Sequence, residues 1–503
     1  MFLEVMTATL IAANIQPTKI KEVKYEPAQF QVRYEKTISA DTDGVLIPAN
    51  NYKYEFQLPL KNKTRYKNYS QVVNHFSEKA KEAVNEMNNR YKKDGQFLKW
   101  VDLPKQQLTV GENGKSHLDE IYQQAEELAL RKTKVERPLV VLGIGGSKHT
   151  AEFLLNMTGY DRKRPVYFYS DIDPISYYNF LKETGYKLQD LNFLVVSKSG
   201  TTFETKDAFL RFEKALKNYY SLQKNSADVA EAKAQSHFAI CTDAKATEKN
   251  LRGKIGDKNG IDNNYIKELY IHDDVGGRYS MFDDAGLFVL AYSGVSKNTI
   301  KRILKAAENS SAANLDVNID NNPGMQGAIF NVFSRSENYN LIEQQYFGKL
   351  FEGAGENWAK QLYLESLKDF DFVIGKAPDS MHYATEGHFS PKNREKYNTV
   401  MTVMTPLISQ NYKRYIAAIA ATYAETTPVK IEVLAVEDNA IKPEAIGEYV
   451  QSKHFETIYM GILRRLVKGG DYPNVLPEVL QPSVETYKNK FKPGSNYELN
   501  PGE

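Results

Sequence analysis

Four short apolar runs, each closed by Gly, Ser or Asp and each followed by an amphipathic stretch, constrain this chain more than any other feature. They are RPLVVLGIGGS from Arg137, RPVYFYSDID from Arg164, LNFLVVSKSGTT from Leu191 and SHFAICTDA from Ser236. The segments 149–157 and 204–219 between them carry a helical pattern of apolar positions. Strands that alternate with helices in this way predict a parallel sheet covered on both faces, the doubly wound α/β arrangement. Such sheets bind ligands beyond the carboxyl ends of their strands, which is where the glycines and hydroxyls fall here. After Val275 a second apolar set, AGLFVLAYSG, AIFNVFSR, YNTVMTVMTP and VKIEVLAVED, predicts a second α/β unit of similar design.

The expected fold is therefore α/β, with two doubly wound αβα sandwich domains of mainly parallel strands and helical segments at the N- and C-termini. A chain of 503 residues has room for this, because single cores stop growing near about 250–300 residues. The expected boundaries are an N-terminal appendage with cap helices over 1–110, a first α/β domain over 111–290, and a second with C-terminal helices over 291–503.

Charge and cysteine content remove several function classes. Lys and Arg number 65 against 63 Asp and Glu, so the chain lacks the basic excess that phosphate backbones attract, and nucleic acid is not an expected partner. The single cysteine, Cys241, forms no internal disulfide and no zinc–thiolate site, which fits a cytoplasmic protein. The opening stretch MFLEVMTATLIAANIQ carries Glu4 and no positive n-region, so it does not read as an export signal. No run approaches the roughly 18–20 apolar residues of a membrane span, and no membrane partner is expected.

Three segments carry chemistry. In VVLGIGGSK, Gly143, Gly145, Gly146 and Ser147 follow a strand directly, so backbone N–H groups can approach an anion at the start of a helix. Taken alone, the same glycines equally suit a plain tight turn. Lys148 stands where the dinucleotide fingerprint needs its third glycine, so nicotinamide binding is not supported. In VVSKSGTTFET, Ser197, Ser199, Thr201 and Thr202 crowd four hydroxyls around Lys198 and Gly200, more than an ordinary helix cap requires, and this composition favours a phosphate cradle. In DDVGGRYS, Arg278 follows Gly276 and Gly277. Such an arginine can meet a developing oxyanion, or can simply pair at the surface with Asp273 or Asp274.

GIGGS, SKSGTT, VGGRYS and the Q-x-x-x-E-S pattern in KQLYLES stand in the order and at the spacing of the phosphoglucose isomerase family, which the chain resembles from Trp100 to the region of Lys488. The resemblance implies the sugar isomerase type of fold and an aldose–ketose isomerisation of glucose 6-phosphate and fructose 6-phosphate through an enediol. It implies Glu365 as the general base and Gln361, four residues earlier on the same helix face, as a substrate ligand. Arg278 then stabilises the enediolate, Ser197, Lys198, Ser199, Thr201 and Thr202 hold the phosphate, and Gly146 with Ser147 meets the sugar. Lys488 assists ring opening together with a histidine. Of the candidates His382 and His388, His382 better keeps the family's spacing to the downstream NTV, although Tyr383 replaces the usual serine. The resemblance also implies a homodimer completed by the partner subunit, a sugar phosphate as the small-molecule partner, and no cofactor or metal.

Other readings stay open at this level. His382, Glu386 and His388 could be metal ligands, but they match no established spacing. His75 and His272 read as surface or structural residues. A related enzyme acting on mannose 6-phosphate would share the motifs. A sugar-phosphate sensor without chemistry should lack Glu365 or Arg278, and both are present.

Overall fold

The computed structural model describes residues 51–469 except 60–64, 67, 94–96, 131–135, 160–161, 199, 201, 244–264, 340, 352, 368–369, 378–396, 406–418, 420–422, 425 and 438–439. All of these lie in the compact unit Tyr34–Glu503. The strands are β1 Tyr52–Gln57, β2 Leu139–Leu142, β3 Val166–Tyr169, β4 Asn192–Val196, β5 Phe238–Asp243, β6 Ile266–Ile271, β7 Leu341–Phe347, β8 Asp371–Ala377, β9 Tyr397–Thr405 and β10 Val429–Glu437. The main helices are α1 Tyr69–Tyr91, α2 Leu103–Leu108, α3 His117–Leu130, α4 Gly146–Met157, α5 Pro174–Thr184 and α6 Phe203–Leu222. They continue with α7 Ala227–Gln235, α8 Asp284–Ser293, α9 Lys297–Asn314, α10 Pro323–Ser336, α11 Ala354–Ser366 and α12 Pro443–Lys468.

The first sheet runs β3-β2-β4-β5-β6 and every pair in it is parallel. Its strands feed two cores in alternation. Val140, Leu142, Phe193, Val195, Phe238 and Ile240 pack with Phe209, Phe212 and Leu216 of α6, whereas Val141, Leu194, Val196, Ala239 and Cys241 point into the other cluster. Burial on both faces is why these strands read as unbroken apolar runs rather than as alternating ones. The strand order also reverses direction between β2 and β4, because the chain goes from β2 outward to β3 and then returns to the far side of β2. GIGGS leaves the end of β2 and SKSGTT leaves the end of β4, so both motifs sit at the topological switch point where this architecture opens a crevice.

The second sheet runs β1-β10-β9-β7-β8, parallel along this path except for β1, which lies antiparallel on β10 with Tyr52 opposite Leu434, and the two-residue strand Ala440–Ile441 also pairs antiparallel with β10. The expected α/β class holds, with two corrections in detail. AGLFVLAYSG and AIFNVFSR form helices α8 and α10, not strands. Both helices are enclosed on nearly all sides, and an all-apolar surface carries no periodicity to separate a buried helix from a buried strand. The strands that replace them are β7, LIEQQYF, and β8, DFVIGKA. In addition β1, part of the segment set aside as an appendage, completes an edge of this sheet. Among the described residues no helix is long and apolar enough to cross a membrane.

Helix α12 runs through the interior, buried from Ala445 to Leu463. Its polar residues are matched by β10: Lys430 and Lys453 each contact both Glu432 and Glu456 at 2.8–3.0 Å, and all four are almost fully buried. Charges so deep hold only as a paired set, since removal of one partner strands another without water. Tyr52 of β1 donates to Glu432 at 3.1 Å, which ties the edge strand to this cluster.

His454, one residue along from Lys453, has no such match. Its ring lies 5.2 Å from Trp100, 5.1 Å from Tyr279 and 6.0 Å from Trp358, and neither ring nitrogen has a hydrogen-bond partner among the described residues. Burial alone pushes its pKa down to about 3. The native state therefore keeps this imidazole neutral, while the unfolded chain protonates it below about pH 6.5. Its effect on stability is absent at neutral pH and grows as pH falls from about 6.5 toward the folded pKa, at up to about 1.4 kcal/mol per pH unit. Urea unfolding of the wild type and of His454→Leu should show the variant gaining on the wild type by about 1 kcal/mol per unit from about pH 6 to about pH 4. A constant difference across that range would show that the ring is solvated.

Candidate active site

Arg278 sits in a short 3-10 turn, Gly277–Tyr279, that follows the Gly276–Gly277 pair. It is only 6% exposed, so it is not the surface arginine of the alternative reading. Its Nε donates to Ser366 Oγ at 2.7 Å and its Nη1 to Glu365 Oε2 at 3.3 Å. Ser366 is itself buried and also lies 3.2 Å from the Tyr279 hydroxyl, so one small residue fixes both the guanidinium and the next side chain of the turn. Burial raises the pKa of the Tyr279 phenol, which stays a neutral hydrogen-bonding group. The Glu365 side chain is half exposed, at 51%, and so faces an opening while its oxygen meets a buried cation. A guanidinium is protonated at every accessible pH, so this arrangement puts a fixed positive charge beside a carboxylate that incoming molecules can reach.

Glycine at two positions lets the other segments close in. A methyl group on Gly146 would lie 2.2 Å from the carbonyl carbon and oxygen of Gly277, so the backbone of the GIGGS turn rests directly on the backbone that carries Arg278. Gly145 has φ of +54°, a conformation that side chains resist, and a methyl there would meet Gln361 Nε2 at 2.8 Å. Gln361 and Glu365 share one face of α11, as the four-residue spacing predicts, the first against GIGGS and the second against Arg278. The Oε1 atom of Gln361 is buried with no hydrogen-bond partner among the described residues. An unmatched buried acceptor is costly unless a donor arrives, and a ligand hydroxyl would supply one.

The hydroxyl-rich turn adjoins the same place. Lys198 Nζ donates to Val275 O at 3.1 Å, three residues before Arg278. The Ser197 hydroxyl accepts the N–H of Gly200 at 3.1 Å, and Thr242 Oγ1 donates to the Ser197 carbonyl at 2.7 Å, which holds the turn after β4. Thr202 occupies the N-cap of α6, yet its side chain makes no capping hydrogen bond. The N-terminus of this 20-residue helix carries the positive end of its dipole, which suits an anion. Ser147 lies in the first turn of α4. Of the residues expected from the sequence, Gly146, Arg278, Gln361 and Glu365 belong to segments in direct contact, Lys198 reaches the same segment through Val275 beside Ser197, and Ser147 and Thr202 stand at the starts of α4 and α6. Ser199, Thr201, His382, His388, Glu386 and Lys488 lie outside the described residues.

Sequence reasoning missed Ser366 and Gly277. Ser366 is the last letter of the Q-x-x-x-E-S pattern, and its value as an acceptor for Arg278 appears only once the two segments meet. Gly277 had a signal in the doubled glycine, which marks a turn but does not say that Gly146 rests on it.

The phosphoglucose isomerase family model matches residues 103–342, a stretch that includes GIGGS, SKSGTT and Arg278 and stops short of Gln361 and Glu365. The chain is 27% identical over 455 residues to a glucose-6-phosphate isomerase of Mycoplasma mobile, covering 84% of this chain and 95% of that protein. An alignment of that span necessarily takes in residues 361–366. A glucose-6-phosphate isomerase of Staphylococcus haemolyticus is 30% identical over 330 residues, covering 62% of this chain and 65% of its own length. Among solved structures, a glucose-6-phosphate isomerase from Chlamydia trachomatis superposes with a TM-score of 0.63 at 15% identity, over 87% of each chain. A hypothetical protein from Thermus thermophilus superposes with 0.65 at 18% identity, over 84% of this chain and 95% of its own. At such identities these two speak for the fold alone.

Proposed function

The chain belongs to the phosphoglucose isomerase family, and from this premise we propose that it interconverts glucose 6-phosphate and fructose 6-phosphate with Glu365 as the base. One observation carries the assignment of roles. Glu365 and the buried Arg278 stand 3.3 Å apart beside a hydroxyl-rich turn at the sheet's switch point.

The reaction moves a proton between neighbouring carbons of the open-chain sugar. Starting from the aldose, Glu365 takes the proton from C2, the C1 carbonyl oxygen gathers the displaced charge as an enediolate, a proton passes from the C2 hydroxyl to O1, and the carboxylic acid returns its proton to C1 as the C2 carbonyl forms. Arg278 compensates that oxyanion with a charge fixed in advance by Ser366, so little reorganisation is needed as the transition state forms. Gln361 Oε1 receives a sugar hydroxyl. The phosphate does not react. Its binding to Ser197, Lys198, Ser199, Thr201 and Thr202, at the N-terminus of α6, holds the sugar in register. The residues proposed for ring opening are His382 and Lys488. The resemblance further supports a cytoplasmic homodimer whose partner subunit completes the site; of the division into 1–110, 111–290 and 291–503 we keep the last two as the proposed α/β domains, with Tyr52–Gln57 of the first segment joined to the second sheet.

A coupled assay of glucose 6-phosphate formation from fructose 6-phosphate tests the reading. Turnover is expected, and it should survive a chelator because no step is assigned to a metal. Mannose 6-phosphate in parallel reports whether the crevice admits the C2 epimer. A folded protein that turns over neither sugar would overturn the proposal.

A further inference from the structure

A second constellation flanks the segment that carries Arg278 without belonging to the crevice chemistry. His117 opens α3, His272 follows β6, and Asp284 is the first residue of α8, with Asp283 as its N-cap. One ring nitrogen of each histidine and a carboxylate oxygen of Asp284 all lie within 4.8 Å of one another. His117 Nε2 is 2.9 Å from Asp284 Oδ2 and 3.0 Å from Oδ1, and the two imidazole rings stand nearly perpendicular with centroids 6.0 Å apart.

The surroundings are those of ligands held in place. His117 Nδ1 contacts Glu120 Oε2 at 3.2 Å and His272 Nδ1 contacts Asp283 Oδ1 at 2.6 Å, while His117 Nε2 rests on Asp284, the contact that a bound ion would replace. Carboxylates in that position fix the tautomer and aim of metal-bound imidazoles. Asp284 is fully buried and is oriented by the Tyr270 N–H at 2.8 Å and by Gln107 Nε2 at 3.1 Å. The histidines are partly exposed, 22% and 27%, which leaves a path for an ion.

We propose that His117, His272 and Asp284 form a site for a divalent transition metal of the zinc class, with Glu120 and Asp283 as the positioning residues. Imidazole nitrogens with one carboxylate suit such an ion, and water fills the fourth position. Tetrahedral bonds of roughly 2.0–2.1 Å place donors about 3.3 Å apart, so the set closes by side-chain rotation. Residues 272 and 284 bound the stretch that carries Gly277 and Arg278, and α3 supplies the third ligand. The ion would therefore staple the arginine segment to a neighbouring helix, and it takes no part in proton transfer. This inference does not rest on the isomerase reading.

The test uses the full chain, stripped by a chelator and titrated with ZnCl2. One saturable site per chain is expected by calorimetry, with a rise in Tm of about 2–3 °C at a hundredfold excess over Kd. His117→Gln and His272→Gln should each lose the rise, and Glu120→Gln should weaken Kd by about tenfold or more. Should those variants misfold, the Co2+-loaded wild type decides: a four-coordinate visible spectrum with two paramagnetically shifted imidazole N–H resonances supports the site. The absence of those signals, no saturable binding by the wild type, or equal stabilisation of wild type and folded histidine variants would each overturn it.

Discussion

Glu365→Gln should lower kcat by about 10²- to 10⁴-fold, the range that a positioned general base commands, equivalent to about 3–5 kcal/mol of barrier. The substitution is chosen to remove the base and little else. A glutamine has the same length, and its amide oxygen can still accept from Arg278 Nη1, now 3.3 Å from the carboxylate. Ser366 keeps its hold on Arg278 Nε, so the guanidinium is not released to wander. A side chain that is half exposed contributes little to the fold, and a thermal melt beside the wild type checks this. KM should therefore change far less than kcat. Exchange of the substrate's C2 proton with solvent deuterium, which reports proton abstraction directly, should fall in step with kcat. Turnover within tenfold of the wild type, or exchange that survives while turnover fails, would remove Glu365 from the role of base.

How far this site was legible depends on the physics of each part. The two loop motifs were legible because the architecture itself advertises them. Strands buried on both faces read as apolar runs, and the turns beyond their carboxyl ends at the switch point stand out by composition, as with Gly143 to Ser147 after β2 and Ser197 to Thr202 after β4. The placing of Gln361 and Glu365 on one helix face comes from local spacing and needed no tertiary knowledge. Contacts between distant segments were not legible. Gly146 against Gly277, and Ser366 beneath Arg278, join residues far apart in the chain through shapes that no single segment records. The charged cluster of Lys430, Glu432, Lys453 and Glu456 was hidden for the same reason. Lys430 and Glu432 look like the wet face of a strand until α12 is laid over them. The helical state of AGLFVLAYSG was hidden differently, because a segment that is apolar on every side has no face to betray its period.

The backbone contact between the two glycine turns yields the other large effect, and its interest lies in an asymmetry. Replacing glycine by alanine within a helix ordinarily stabilises a protein by about 0.4–1 kcal/mol, since alanine has less freedom to lose. Gly146 is the first residue of α4 and its backbone is not in the left-handed region, so local propensity favours Gly146→Ala. Packing opposes it: the new methyl would stand 2.2 Å from both the carbon and the oxygen of the Gly277 carbonyl and 2.8 Å from its Cα, and none of these is a flexible side-chain end. The turns must part, and the segment that moves carries Arg278. Gly146→Ala is expected to cost about 1–3 kcal/mol of stability, the range for overpacking a close contact. It should also lower kcat/KM by about 10²-fold, as a misplacement of about 1 Å can do. The converse change is mild, because a methyl on Gly277 would meet only Gly146 Cα, at 3.8 Å, which is ordinary van der Waals contact. Gly277→Ala should accordingly stay within a few-fold of the wild type in kcat/KM. Parallel kinetics and urea melts of the two variants read this difference. Equal behaviour, or a Gly146→Ala protein as active and as stable as its parent, would mean that the turn bearing Arg278 is not seated on GIGGS.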